Sequence, residues 1–69
     1  MELRAQFEKR LDIFLDNPYA PILNNHSVEE TFPGCRSINI TGDYRAIYEA
    51  WHVVPVFVKI GTHHELYGK

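Results

Sequence analysis

Four side chains in the C-terminal half of the sequence have the chemistry of an anion site: Asn39, Arg45, Lys59 and His63. Residues 36–67 resemble a meander of three strands with a turn at residues 42–43. Successive side chains of a strand point to opposite faces of the sheet. The spacing assigns these four to one face, and most of the apolar side chains of the strands to the other. One buried and one solvated face is common in antiparallel sheets. The pattern therefore predicts an open face that binds an anion or a phosphate.

The remaining side chains of these strands predict a core covered by a helix. Residues 1–17 have apolar side chains at helical spacing, and the Asn17-Pro18 pair stops a helix. Because this stripe and the apolar rows of the strands each need a partner, we predict an α+β fold with an N-terminal helix packed on an antiparallel β-meander. The predicted helix stripe is Leu3, Phe7, Leu11, Phe14 and Leu15, and the predicted rows are Ile38 and Ile40, then Tyr44, Ala46 and Tyr48, then Val56, Val58 and Ile60, with Phe57 on the opposite row.

Residues 18–34 have no sustained periodicity and are predicted to be a connecting loop. His26 lies in its middle, where a surface histidine is the simplest interpretation. Residues 62–69 follow the last strand and are too short to predict another element. The sequence has no internal repeat, so residues 1–69 are expected to form one domain. The predicted anchors of the loop are Tyr19, Ile22, Leu23 and Val28.

Composition restricts the functional classes. The chain has 69 residues, 45% hydrophobic residues and a formal net charge of -2, so any surface that binds nucleic acid must be local. Cys35 is the only cysteine, which rules out an internal disulfide and favours a reducing compartment. No apolar run is long enough to span a bilayer. A cytoplasmic location is expected.

Three segments carry a resemblance to a known family: PILNNH at 21–26, GCRSINITGDYRAIYE at 34–49 and VFVKIGTHHELYG at 56–68. Together they resemble the RelE/ParE superfamily of type II toxins, and most closely its mRNA-interferase branch of YafQ-like ribonucleases. The resemblance runs from Leu11 to the end. The family fold is a strand, two helices and an antiparallel meander. Residues 1–17 are similar to the second helix, so the first strand and helix are not seen in this sequence.

The resemblance assigns roles to individual residues. His63 matches the histidine of the family's G-[ST]-H motif, and Arg45 matches the arginine of its R-x-x-Y strand. Asp43 matches the acidic turn residue before that strand, and His26 matches the histidine of the preceding loop. The substrate-binding set implied by the resemblance is Asn39, Lys59 and Tyr67.

The activity implied is metal-independent cleavage of mRNA, on the ribosome, by a toxin that an antitoxin neutralises. His63 would be the general acid, while Asp43 or His26 would be the base or fix a histidine tautomer. Arg45 would bind the phosphate, and Tyr67 would stack on a base. No cofactor is expected. A zinc site made by His26, His63, His64 and Asp43 has no standard ligand spacing.

Simpler interpretations exist for several of these residues. Asp43 is also a common turn residue, and Arg45 could form an ion pair with Glu49. Tyr67 could fill part of the core. His52 and His64 are expected to be surface histidines without a role.

Differences from the family leave other functions open. Glu29 and Glu30 stand where relatives often have a Lys-Gly pair, and two carboxylates beside a phosphate site would repel RNA. The alternatives are a toxin-fold module that binds an antitoxin without cleaving RNA, and a ParE-like inhibitor of DNA gyrase, against which His63 argues. Without the first strand and helix of the family, apolar surface is expected to stay uncovered, so a homo-oligomer is predicted.

Overall fold

The N-terminal helix, α1 (Leu3–Asp16), lies on one face of a four-stranded antiparallel sheet in the computed structural model, which describes residues 2–68. The strands are adjacent in the order of the sequence. The predicted α+β arrangement is confirmed, and the structure adds a short first strand and a C-terminal helix. The other elements are a 3₁₀ helix (Pro21–Leu23), β1 (His26–Ser27), β2 (Cys35–Asn39), β3 (Tyr44–Glu49), β4 (Val56–Thr62) and α2 (His63–Tyr67).

Helix α1 lies within the predicted range 1–17, of which Met1 is outside the described residues, and it has most of the predicted buried stripe. It ends at Asp16, because Asn17 is already extended ahead of Pro18. Phe14 is buried in the main core. Leu15 is 64% exposed, so its predicted burial is wrong. Ile13 packs against the core from the same turn of the helix. Buried or partly buried residues of the stripe are Leu3, Phe7, Leu11 and Phe14.

A β-bulge changes which side chains of β4 enter this core. Ile47 pairs with Lys59 and Tyr48 pairs with Phe57, so Val58 is an extra residue opposite β3. Because an extra residue reverses the alternation on one side of it, Phe57 rather than Val56 faces the helix. The Phe57 ring lies 5.5 Å from Phe14 and 5.4 Å from Tyr48. The prediction placed Val56, Val58 and Ile60 in the core and Phe57 outside it. It is wrong, since the three aliphatic side chains are 40%, 49% and 43% exposed and Phe57 packs against the core.

The opposite face of the sheet is not open along its whole length, contrary to the prediction. The loop after β1 and helix α2 both fold back over it and form a second small apolar cluster. Alternation within the strands could not show this, because the covering residues come from segments without strand periodicity. The cluster contains Val28, Cys35, Ile47 and Leu66, with Phe32 and Tyr67 partly buried against it.

The connector between α1 and β1 is fixed by a hydrogen-bonded chain centred on Asn25. The Asn25 Nδ2 group donates to the Pro18 carbonyl and to the Tyr48 hydroxyl, each at 2.9 Å. The Arg36 Nε–H group donates to Asn25 Oδ1 at 2.7 Å. These bonds set the position from which β1 starts. Among the predicted loop anchors, Leu23 and Val28 are buried, while Tyr19 and Ile22 are exposed.

Candidate functional site

A cleft of about 430 Å³ lies where the loop after β1 meets the start of β3 and helix α2. It brings together four of the residues predicted for the site, His26, Arg45, His63 and Tyr67, from three separate parts of the sequence. Its full lining is His26, Ser27, Val28, Glu29, Glu30, Thr31, Arg45, His63 and Tyr67.

His26 lies in β1 rather than in an irregular loop, and it pairs with Ser37 of β2. Its Nδ1 atom lies 2.8 Å from the Asn24 carbonyl oxygen. Because a carbonyl can only accept, this contact requires the proton on Nδ1. The Nε2 atom of the neutral ring then has a free lone pair, as a general base requires. Ser37 beneath it is fully buried, and its Oγ atom has no hydrogen-bond partner within residues 2–68.

Arg45 lies at the end of the cleft and forms no ion pair within residues 2–68. Its Nη1 group donates to the Asp43 carbonyl at 3.2 Å. The alternative pairing with Glu49 is wrong, since that carboxylate contacts His52 Nε2 at 2.6 Å. In the described part of the chain no carboxylate lies within ion-pair distance of the Arg45 guanidinium. The side chain is half-buried, which strengthens its attraction for an anion relative to a fully solvated arginine.

Helix α2 fixes His63 at the rim of the cleft. Thr62 caps the helix by accepting from the Glu65 N–H at 3.1 Å, and the Glu65 carboxylate accepts from the Thr62 N–H at 2.8 Å. His63 is the first helical residue, and its ring lies 4.6 Å from the Tyr67 ring one turn later. Sequence analysis missed this helix, although the Thr-x-x-Glu pattern at 62–65 is a signal for it.

Tyr67 contributes both to the apolar cluster and to the cleft. Its ring lies 6.0 Å from Phe32 in an edge-to-face arrangement, and it is partly buried there. The same side chain lines the cleft beside His63. The two interpretations of Tyr67, core residue and stacking surface, are therefore compatible.

Asp43 lies outside this cleft, in a neighbouring groove of about 520 Å³ that shares Arg45 and His63 with it. Its backbone N–H group donates to Thr41 Oγ1 at 3.2 Å, so Asp43 also has the predicted turn role. The cleft and the groove thus share His63 and Arg45, while His26 lines only the cleft and Asp43 lines only the groove. The groove is lined by Gly42, Asp43, Tyr44, Arg45, Thr62, His63 and His64.

Asn39 and Lys59 do not line the cleft. Asn39 pairs with Arg45 across β2 and β3, and its Oδ1 atom is buried without a partner among the described residues. The Lys59 ammonium lies 5.8 Å from the centre of the Phe32 ring. Both residues stay on the predicted face of the sheet, but the loop and α2 separate Lys59 from the two histidines.

Two carboxylates form one wall of the cleft. The sequence predicted that they would repel RNA, but it did not predict that they line the site. Glu29 and Glu30 both line it, and one Glu29 oxygen accepts from the Gly34 N–H at 2.7 Å. Arg45 and these two carboxylates together carry one net negative charge. Glu29 and Glu30 therefore weaken the attraction of the cleft for an anion.

Cys35, at the start of β2, is a buried free thiol that does not line the cleft. Burial raises the pKa of its thiol above the ordinary value, and the charges of Glu49 and Glu29 raise it further. A thiol in this environment stays neutral at physiological pH and is a poor nucleophile. Cys35 therefore contributes to packing rather than to chemistry.

No three His, Cys, Asp or Glu side chains within residues 2–68 gather where they could hold a metal ion. In the same part of the chain no helix is both long and apolar enough to cross a membrane.

Comparison with known protein families, curated proteins and solved structures finds no match to this chain. The resemblance to RelE/ParE toxins remains a prediction from the sequence motifs.

Proposed function

We propose that this protein is a metal-independent endoribonuclease of the RelE/YafQ-like kind. It acts in the cytoplasm as the toxin of a type II system, cleaves mRNA on the ribosome and is neutralised by an antitoxin. One observation carries the proposal: a single cleft collects two histidines and a guanidinium that forms no ion pair with a carboxylate of the described residues. These three groups are sufficient for an intramolecular cleavage of RNA.

The reaction uses each of the three groups once. His26 Nε2 takes the proton of a ribose 2′-OH while the 2′-oxygen attacks the adjacent phosphorus. The new P–O2′ bond forms as the P–O5′ bond breaks, and His63 donates a proton to the departing 5′-oxygen. The products are a 2′,3′-cyclic phosphate and a 5′-hydroxyl. Arg45 stabilises the charge that develops on the phosphate oxygens.

Asp43 is the competing base, because its groove shares His63 and Arg45. The two assignments differ in which variant loses activity. If His26 is the base, His26→Ala loses cleavage and Asp43→Asn keeps most of it. If Asp43 is the base, the pattern reverses.

The test is cleavage of a message on intact ribosomes, together with cleavage of a short RNA oligonucleotide in EDTA. His63→Ala is expected to lower the cleavage rate by about 10²–10⁴-fold, which is the usual effect of losing a positioned proton donor in an enzyme. Arg45→Ala is expected to weaken both binding and cleavage. The matched controls are His64→Ala and His52→Ala, which remove histidines outside the cleft. Wild-type rates for His63→Ala would refute the proposed site.

A second candidate function is a non-cleaving module that binds an antitoxin. The observation that favours it is the pair of carboxylates in the cleft wall, which repels phosphate. Glu30→Lys tests this directly, because Glu30 is exposed. Glu29→Gln is the better change at the neighbouring position, since it keeps an oxygen that accepts from the Gly34 N–H. If the wild type binds an antitoxin but cleaves nothing, and these variants gain RNA affinity with a steeper salt dependence, the second candidate holds.

A further inference from the structure

Strand β4 forms a long free edge of the sheet. The strand order ends at β4, which within residues 2–68 pairs only with β3 and is 7 residues long. The opposite edge is β1, which has 2 residues. Unpaired N–H and C=O groups on a long edge are a template for pairing with another chain. Its apolar side chains are partly uncovered: Val56 is 40% exposed, Val58 49% and Ile60 43%.

An apolar groove of about 540 Å³ adjoins this edge, between β4 and the first half of α1. It is open along the strand, so a neighbouring strand would both continue the sheet and cover the groove. The charged residues that border it are Arg4, which forms an ion pair with Glu8, and Lys59. The groove is lined by Leu3, Arg4, Phe7, Ala46, Phe57, Val58, Lys59 and Ile60.

We propose that a second copy of this chain occupies the edge, with the two β4 strands antiparallel about a two-fold axis at Ile60. The bulge at Val58 leaves residues 58–62 as the part with regular alternation, so pairing must use this part. In this register Ile60 faces the partner's Ile60, and Lys59 faces the partner's Gly61. The partner's Thr62 faces Val58. Each pair consists of residues on the same face of the combined sheet.

Neighbouring registers are less favourable. An axis at Lys59 would set two lysines directly opposite each other, which destabilises a sheet. An axis at Val58 would pair Phe57 with the partner's Lys59, although the bulge places these residues on opposite faces. An axis at Gly61 would shorten the paired segment at the end of the strand. The Ile60 register avoids all three problems.

The two edges also explain why the assembly closes as a dimer. Head-to-tail addition would join β4 to β1, and the two residues of β1 offer little pairing. Pairing of β4 with β4 uses the long edge of both copies and leaves none free. The Lys59 ammonium does not protect the edge, because it lies over the Phe32 ring on the other face.

Sedimentation of the full chain over a range of concentrations tests the dimer. The wild type is expected to dimerise, and Ile60→Lys is expected to weaken the association on the order of 100-fold, because it removes two buried isoleucines at the axis. Val53→Lys is the matched control, since Val53 is fully exposed in the β3–β4 hairpin. A wild type that stays monomeric at high micromolar concentration overturns the proposal, as does a dimer that Ile60→Lys leaves intact.

A cysteine at the axis tests the register without adding a charge. At the centre of an antiparallel pairing the two Cα atoms are about 4.5–5.5 Å apart, which suits a disulfide. Ile60→Cys is therefore expected to form a disulfide-linked dimer under mild oxidation, whereas Val53→Cys and the wild type, with its buried Cys35, are not. A dimer in which Ile60→Cys fails to cross-link overturns the proposed axis. Neither test depends on ribonuclease activity.

Discussion

Replacing Gly34 by alanine is expected to destabilise the fold strongly, because two separate costs meet at this position. Gly34 has φ +77°, in the left-handed region that side chains rarely adopt. A Cβ atom there would lie 2.1 Å from Trp51 Cζ3 and 2.6 Å from Cε3. Ordinary carbon contacts are about 3.5–4.0 Å, so the ring must move by more than ~1 Å. Gly34 also donates to Glu29, so the wall of the cleft would move with it.

The magnitude follows from adding these costs. The left-handed conformation costs alanine about 1–2 kcal/mol, and stiffening of the unfolded chain offsets about 0.4–1 kcal/mol of it, so the net backbone cost is about 1 kcal/mol. Trp51 is 60% exposed, so its ring can turn toward solvent. Displacing it adds about 1 kcal/mol, the low end of the cost of overpacking, which gives a total of about 2 kcal/mol. A domain of this size has roughly 3–10 kcal/mol in all, so the change removes a substantial part of the free energy of unfolding.

Gly68→Ala is the matched control. Gly68 has φ +70°, and a Cβ atom added to it would meet no heavy atom of the described residues within 4 Å, so it carries the backbone cost without the clash. Thermal unfolding should therefore show a shift of roughly 4–8 °C for Gly68→Ala and a shift about twice as large for Gly34→Ala. In a Trp51→Ala background, Gly34→Ala should cost only about 1 kcal/mol. Equal costs for Gly34→Ala with and without Trp51 would refute the steric reasoning.

The core, the buried thiol, helix α2 and the cleft each allow a further test. Phe14→Ala should cost about 3–5 kcal/mol in urea unfolding, since Phe14 is 2% exposed; a cost below ~1 kcal/mol would contradict the assigned core. Because the folded state raises the pKa of Cys35, its contribution to stability is complete below the unfolded pKa and lost as pH rises through the folded pKa. The wild type should therefore lose more stability than Cys35→Ala between neutral pH and about pH 10, and parallel pH profiles would exclude this linkage. Thr62→Ala should cost about 0.5–2 kcal/mol and slow any cleavage that depends on His63, whereas unchanged rates would show that the α2 cap does not position that ring. At one fixed pH, inorganic phosphate should bind Glu30→Gln more tightly than the wild type, because the substitution removes a negative charge from the cleft wall. Equal affinity of the two proteins would contradict the charge assignment.

The local sequence pattern was sufficient to predict the elements whose conformation depends on residues within one segment. Helix α1 could be predicted because a 3.6-residue stripe and the Asn17-Pro18 stop are both contained in one segment. The strands β2 and β3 could be predicted from strict alternation, and their buried rows Ile38, Ile40 and Ala46 are as predicted. The same alternation placed Arg45 and His63 on one face, and the resemblance added His26 and Tyr67; the structure brings all four into one cleft.

Tertiary structure decided the features that depend on contacts between distant segments. The bulge at Val58 reverses the faces of Val56 and Phe57, and no single-strand pattern contains it, because it arises from pairing with β3. The loop after β1 and helix α2 both pack on the sheet. They bury Val28 and Leu66 in one cluster with Ile47, although these three residues are far apart in the sequence. That packing separates Lys59 from the cleft and turns Glu29 and Glu30 into its wall. The sequence thus determines which side chains are available for chemistry. Which of them line one cleft depends on packing between distant segments, and this packing exists only in the folded chain.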